Sequence, residues 1–211
     1  MPHKSAPASF GSVRVKPPLT GPGLRIGVMG GTFDPPHAGH LLISRIALRR
    51  LKLDQIWWVV TPGNPLKAHD ELPDLGGRME QCRKLAADRR VRITGFEEAL
   101  RTPYTAVTLA FLKRRFPWVR FVWIMGADNL AEMERWHRWR EIFGLFPIAV
   151  VDRPGWRLRA LASKAARALG RAYVPEARSA TLASCKPPAW TLLTGPLSRL
   201  SSTELRSARA R

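Results

Sequence analysis

Of 211 residues, 45% are hydrophobic, and 35 Lys+Arg against 16 Asp+Glu leave a formal charge of +19. The length suits one domain with a real core, no apolar run approaches the ~20 residues that span a bilayer, and no apolar N-terminal stretch marks a secretory signal. Cys82 and Cys185 form no C-x-x-C pair, which argues against a disulfide framework or zinc site and for a reducing cytoplasm.

Residues 1–23 carry five prolines and little periodicity, and read as a disordered or loosely attached extension to a single domain over 24–211. "LRIGVMG" (24–30) is a short apolar run ending in glycine, the pattern of a buried strand. From His37 a helix is predicted, with Ile43, Ile46, Ala47 and Leu51 at helical spacing. Strand, loop and helix follow at 55–62, 63–75 and 76–88, then strand "RVRITGF", helix "TAVTLAFLKRRF" and buried strand "VRFVWIMG". "RWREIFGL" reads as a short helix, "FPIAVVDRPG" as strand and turn, and "RLRALASKAARALG" as one helix. "AWTLLTG" is the last strand and "SSTELRSARA" the last helix, while 171–188 has no readable pattern. The alternation predicts an α/β fold: a doubly wound, Rossmann-like parallel sheet with helices on both faces. Ligands of such sheets bind beyond the carboxyl ends of the strands.

"GGTFDPPHAGH" (30–40) lies at that edge, just past the first strand. Gly30 and Gly31 permit close approach of a ligand to the backbone, and successive N–H groups in such a turn form an anion-binding nest. Pro35 and Pro36 stiffen the entry to a helix whose N-terminus adds free N–H groups and a positive dipole end. His37 and His40 share a helix face, and Gly39 keeps the space between them clear. The set suits a phosphate with a flat group beside it. The basic surplus fits the same chemistry, pointing to nucleic acid, a membrane surface or phosphorylated small molecules. "RRLK", "KRR" and "RWHRWR", however, are dispersed and read as solvated helix faces.

Strand, then GG-T-F-D-P, then H-x-G-H resembles the signature of the nucleotidylyltransferase superfamily, in the form found in bacterial nicotinate-nucleotide adenylyltransferases. "LSSTELR" (200–206) is by itself a capping box at Ser201 and Glu204. It also resembles the family's C-terminal Ser-rich motif, which implies that Ser201, Ser202, Thr203 and Arg206 hold ATP phosphates. "GADN" (126–129) with Trp136 resembles the family's G-x-D-x-L…W, which implies that Gly126 lies at the nucleotide, Asp128 meets a ribose and the Trp136 region meets a pyridine ring. "TPGNPLK", "PYTAVTL" and "VVDRPG" resemble further family segments, which implies that Lys67 sits near phosphate, Tyr104 and Thr105 at a nicotinate carboxylate, and Arg153 facing the nucleotide. Arg78-Met79 matches a recurrent Arg-x-x-Met region only loosely. Val107 stands where an acidic residue is usual, and His137 follows Trp136 where an aromatic is common, a departure that bears on substrate choice.

The resemblance implies transfer of AMP from ATP to nicotinate mononucleotide, giving nicotinate adenine dinucleotide and pyrophosphate, in NAD biosynthesis. The implied ATP site comprises Gly30, Gly31, Thr32, Phe33, His37, Gly39, His40, Gly126, Asp128, Ser201, Ser202, Thr203 and Arg206, with His37, His40 and Arg206 catalytic. The implied acceptor site comprises Lys67, Tyr104, Thr105, Asp128, Trp136, His137 and Arg153. Mg²⁺ arrives on ATP, with no dedicated metal cage, and neither a nucleic acid nor a membrane is an expected partner. Four alternatives stay open: a nicotinamide mononucleotide acceptor, a pantetheine-phosphate acceptor, a class I aminoacyl-tRNA synthetase fragment, and a basic nucleic-acid-binding protein. The synthetase would need a KMSKS-like loop, which is absent.

Overall fold

The computed structural model describes residues 16–63 and 72–196. Six parallel strands form its sheet: β1 (Arg25–Gly31), β2 (Gln55–Val60), β3 (Val91–Thr94), β4 (Arg120–Gly126), β5 (Ile148–Val151) and β6 (Trp190–Leu193). Their order is β3-β2-β1-β4-β5-β6, so chain direction across the sheet reverses between β1 and β4. Ile26 lies level with Gln55 on one side and Phe121 on the other. This is the predicted doubly wound sheet, and β1 lies at its switch point.

Strand alternation sorts the apolar residues into two cores. Ile26, Val28, Trp57, Val59, Phe121, Trp123, Met125, Ile148 and Val150 face one side. Met29, Ile56, Trp58, Val60, Val122, Ile124, Ala149 and Val151 face the other. Both faces are covered, so these strands read as continuous apolar runs rather than as alternating ones. Each large side chain so buried contributes about 1.5–3 kcal/mol. The second face is roofed by α1 (Ala38–Arg50), α2 (Leu75–Leu85) and a 3₁₀ segment, Glu176–Ser184. The first face carries α4 (Thr105–Arg115), α5 (Ala127–Ala131), α6 (Trp139–Leu145), α7 (Arg157–Leu161) and α8 (Lys164–Ala168), with α3 (Glu97–Leu100) short and just before α4.

Two sequence expectations change. The predicted helix over 157–170 is two helices, because the Ser163 hydroxyl accepts from the Ala166 amide (3.2 Å) and starts a new one. The unreadable 171–188 folds largely as 3₁₀ turns tied down by Glu176, whose carboxylate accepts from Arg50 (2.8 Å) and from the Thr194 amide (2.8 Å). Residues 1–15 of the predicted extension, Lys67 in the predicted loop, and Ser201, Ser202, Thr203 and Arg206 in the predicted last helix lie outside the described residues. Of the described start, the Gly23 amide donates to the Trp118 carbonyl (3.0 Å).

Candidate active site

After Gly31 the chain turns through Phe33, which takes φ +49° in the left-handed region although it is not glycine. Phe33 is 1% exposed, stacks on Trp58 at 5.1 Å and lies 4.7 Å from the His40 ring. Burial of this ring holds the unusual backbone in place and sets the floor beneath His40.

The two histidines start α1 as a reciprocal cap. Nδ1 of His37 accepts from the Gly39 amide (3.1 Å), and Nδ1 of His40 accepts from the His37 amide (3.2 Å). This is a capping box built from imidazoles. An accepting Nδ1 carries no proton, so each neutral ring holds its proton on Nε2, the far side from the helix. The rings sit 4.0 Å apart. A short relay secures the second one: Trp58 Nε1 donates to Ser44 Oγ (2.8 Å), and Ser44 Oγ donates to the His40 carbonyl (2.9 Å).

A cavity of about 370 Å³ opens beside this loop, lined in part by Gly30, Gly31, Thr61, Glu97, Trp123 and Arg135. Tyr104, Thr105, Trp136 and His137 complete its far wall. The size suits a mononucleotide. Gly30 is required by Trp123: a Cβ there would lie 2.7 Å from the indole Cη2. Tyr104 and His137 pack ring to ring at 4.4 Å. α4 begins at Thr105 with neither a side-chain cap nor an acidic residue in its first turn. A second, smaller recess is lined by His37, Gly39, His40, Asp152 and Arg153, among others. The loop from Gly30 to His40 therefore contributes wall to both.

At the end of β4, Arg153 Nη1 meets Asp128 Oδ2 at 2.8 Å. Asp128 Oδ1 is buried without a hydrogen-bond partner among the described residues. A buried acceptor left over in this way suits a hydroxyl-bearing ligand. Asp128 and Arg153, assigned separately from sequence, are thus one pair. Among the described residues no three His, Cys, Asp or Glu side chains gather as a metal cage.

Arg78 ties the site together from below. It is 2% exposed, and its Nη1 donates to the carbonyls of Thr32 (2.7 Å) and Thr61 (2.8 Å), while Nε donates to that of Pro73 (2.8 Å). Burial pulls its pKa below the usual arginine value, and the Asp34 charge opposes that pull. One guanidinium thus joins the turn before the histidines to the end of β2, which lines the larger cavity.

Tyr104, Thr105, Trp136 and His137 thus line the larger cavity, and His37, Gly39, His40 and Arg153 the smaller one. Thr32, Phe33, Gly126 and Asp128 line neither cavity; Thr32 and Phe33 act from beneath the loop, and Gly126 and Asp128 stand at the end of β4. The sequence reading missed Thr61, Glu97, Trp123 and Arg135. The sequence reading assigned nothing to Glu97, and the fold buries it.

Residues 28–208 match the cytidylyltransferase-like family. The chain belongs to that family. A Methylorubrum extorquens protein named probable nicotinate-nucleotide adenylyltransferase is 55% identical over 184 residues, covering 87% of this chain and all of that one. One of the same name from Agrobacterium fabrum is 53% identical, over 86% of this chain and 97% of its own. Among solved structures, the nicotinic acid mononucleotide adenylyltransferase of Plasmodium falciparum complexed with APC superposes with a TM-score of 0.63. It is 16% identical, and the match covers 87% of this chain and 83% of that one. At that identity the likeness shows the shared family fold.

Proposed function

We propose that this member of the family transfers AMP from ATP to nicotinate mononucleotide, a step of NAD biosynthesis. The observation that carries the reading is that the Gly30–His40 loop walls both cavities, so a donor and an acceptor on either side would meet at its histidines. The curated relatives' names support it at 51–55% identity.

An oxygen of the acceptor 5′-phosphate attacks the α-phosphorus of ATP in line. The bond to the bridging oxygen breaks, pyrophosphate leaves, and nicotinate adenine dinucleotide forms. Catalysis rests on position and charge rather than an enzyme nucleophile. Burial pushes the Cys82 thiol up to about 12, which keeps it inert. His37 and His40 donate from Nε2–H to the α-phosphate and the departing bridge oxygen, where charge develops. Arg206 with Ser201, Ser202 and Thr203 holds the β- and γ-phosphates, and Lys67 and Arg153 add positive charge. Asp128 accepts from ribose hydroxyls, while Tyr104, Thr105, Trp136 and His137 hold the pyridine end. Mg²⁺ enters as part of the MgATP substrate and keeps its waters. The two cysteines are unpaired, and no described helix is long and apolar enough to cross a membrane; both fit the cytoplasm as the place of action.

Pyrophosphate release from MgATP, with nicotinate mononucleotide, nicotinamide mononucleotide and phosphopantetheine supplied separately, tests the assignment. Release well above the others with nicotinate mononucleotide is expected. Release only with phosphopantetheine would overturn the acceptor assignment, and release with none would overturn the reaction.

A further inference from the structure

Glu97 has no place in the reaction as derived above, yet it lines the cavity assigned to the acceptor. It is 4% exposed. Its contacts are all hydroxyls: Thr108 Oγ1 donates to Oε1 at 2.6 Å, and the Thr61 side chain also hydrogen-bonds to the carboxyl. No Lys, Arg or His among the described residues pairs with it. A buried carboxylate without a cation is costly, and the usual resolution is to keep the proton.

Proton accounting agrees. Thr61 has one hydroxyl proton, and its Oγ1 lies 2.7 Å from the Gly63 carbonyl, which can only accept. Shared with that carbonyl, the Thr61 hydroxyl offsets little of the cost of an ionised Glu97 carboxyl. Burial raises the Glu97 pKa above the ordinary glutamate value, more than the two hydroxyl contacts lower it.

We propose that Glu97 is a selectivity residue for the acceptor: with its proton it admits a carboxylate-bearing pyridine into the cavity, and without its proton it rejects one. This rests on the reaction assigned above. The carboxyl group and a nicotinate carboxylate would share one enclosed space at the start of α4. Two carboxylates so placed do not both ionise cheaply. A nicotinamide ring lacks the carboxylate, and both rings carry the same pyridinium charge, so the ratio of the two acceptors isolates the repulsion between carboxylates. Three other charged or ionisable groups line this cavity, Arg135, His137 and Tyr104, so the test must separate Glu97 from them.

The measurement is the ratio of kcat/KM for nicotinate mononucleotide to that for nicotinamide mononucleotide, taken on the full chain across the whole pH range in which it stays folded. Both acceptors carry the same 5′-phosphate and use the same histidines, so those titrations cancel in the ratio. In the wild type the ratio is expected to fall by about 10- to 100-fold as pH rises, the scale of one added like charge at partly buried separation. In Glu97→Gln, which keeps an acceptor for Thr108 and a donor for Thr61, the ratio is expected to be flat. Thr108→Val removes a donor that favours the ionised form, and should move the fall to higher pH.

A wild-type ratio that is flat while nicotinate mononucleotide is turned over would overturn the proposal and leave the reaction intact. A fall that persists unchanged in Glu97→Gln would assign it to another group and overturn the proposal as well. Absence of turnover with either acceptor would instead remove the reaction on which the proposal rests.

Discussion

Replacing Arg78 by methionine keeps most of the side-chain volume and deletes every donor. The carbonyls of Thr32, Thr61 and Pro73 then lose partners at 2.7–2.8 Å in a place water does not reach. Each buried carbonyl left short costs about 1–3 kcal/mol, so the gross loss is about 3–9 kcal/mol. The variant also stops burying a charge, which returns several kcal/mol. A net loss of about 2–4 kcal/mol remains, a large share of the ~5–15 kcal/mol that holds a domain together. For a chain of this size that is a fall in melting temperature of roughly 4–16 °C. Function should suffer too, because Thr32 leads into the histidine loop and Thr61 walls the acceptor cavity. A shift of about 1 Å in such groups costs on the order of 10²-fold in rate. The assays are urea unfolding with constant m, and kcat and KM for both substrates below the transition. A variant with unchanged stability and unchanged kcat/KM would refute the clamp role of Arg78.

Two further outcomes follow from the site. His40→Ala should lower kcat by about 10²–10³-fold, the range for losing a donor to developing charge, with the Kd of ATP changed far less; near-normal turnover removes His40 from the transition state. Glu97→Gln should become more stable relative to wild type as pH rises. Burial holds the folded pKa of Glu97 above the ordinary glutamate value, so its protonated form supports the fold fully below that ordinary value, and the support is lost as pH rises through the folded pKa. Urea unfolding at a series of pH values measures the difference, and a difference independent of pH means Glu97 ionises in the fold as it does in the unfolded chain.

Local pattern alone placed the six strands and the glycine-histidine loop at their carboxyl edge. Apolar runs bounded by turn residues signal buried strands, and a phosphate-binding turn needs glycines and a helix start that are contiguous in the chain. Even the grouping of Tyr104, Thr105, Trp136 and His137 was readable through motif resemblance. The split of the helix over 157–170 was not, because a serine in an Ala-rich run is tolerated in a helix or caps one according to the packing around it. Where sequence said little, the role depends on exclusion from water by distant segments. Arg78, matched only loosely to a recurrent Arg-x-x-Met region, bonds to carbonyls 46 and 17 positions away. Glu97 carries no local signal of burial, and the segments holding Thr61 and Thr108 close over it. Asp128 and Arg153, 25 positions apart, become an ion pair only because β4 and β5 are neighbours. Buried charge and clamp are set by which parts of the chain meet, and that is a property of the packed sheet and its helices.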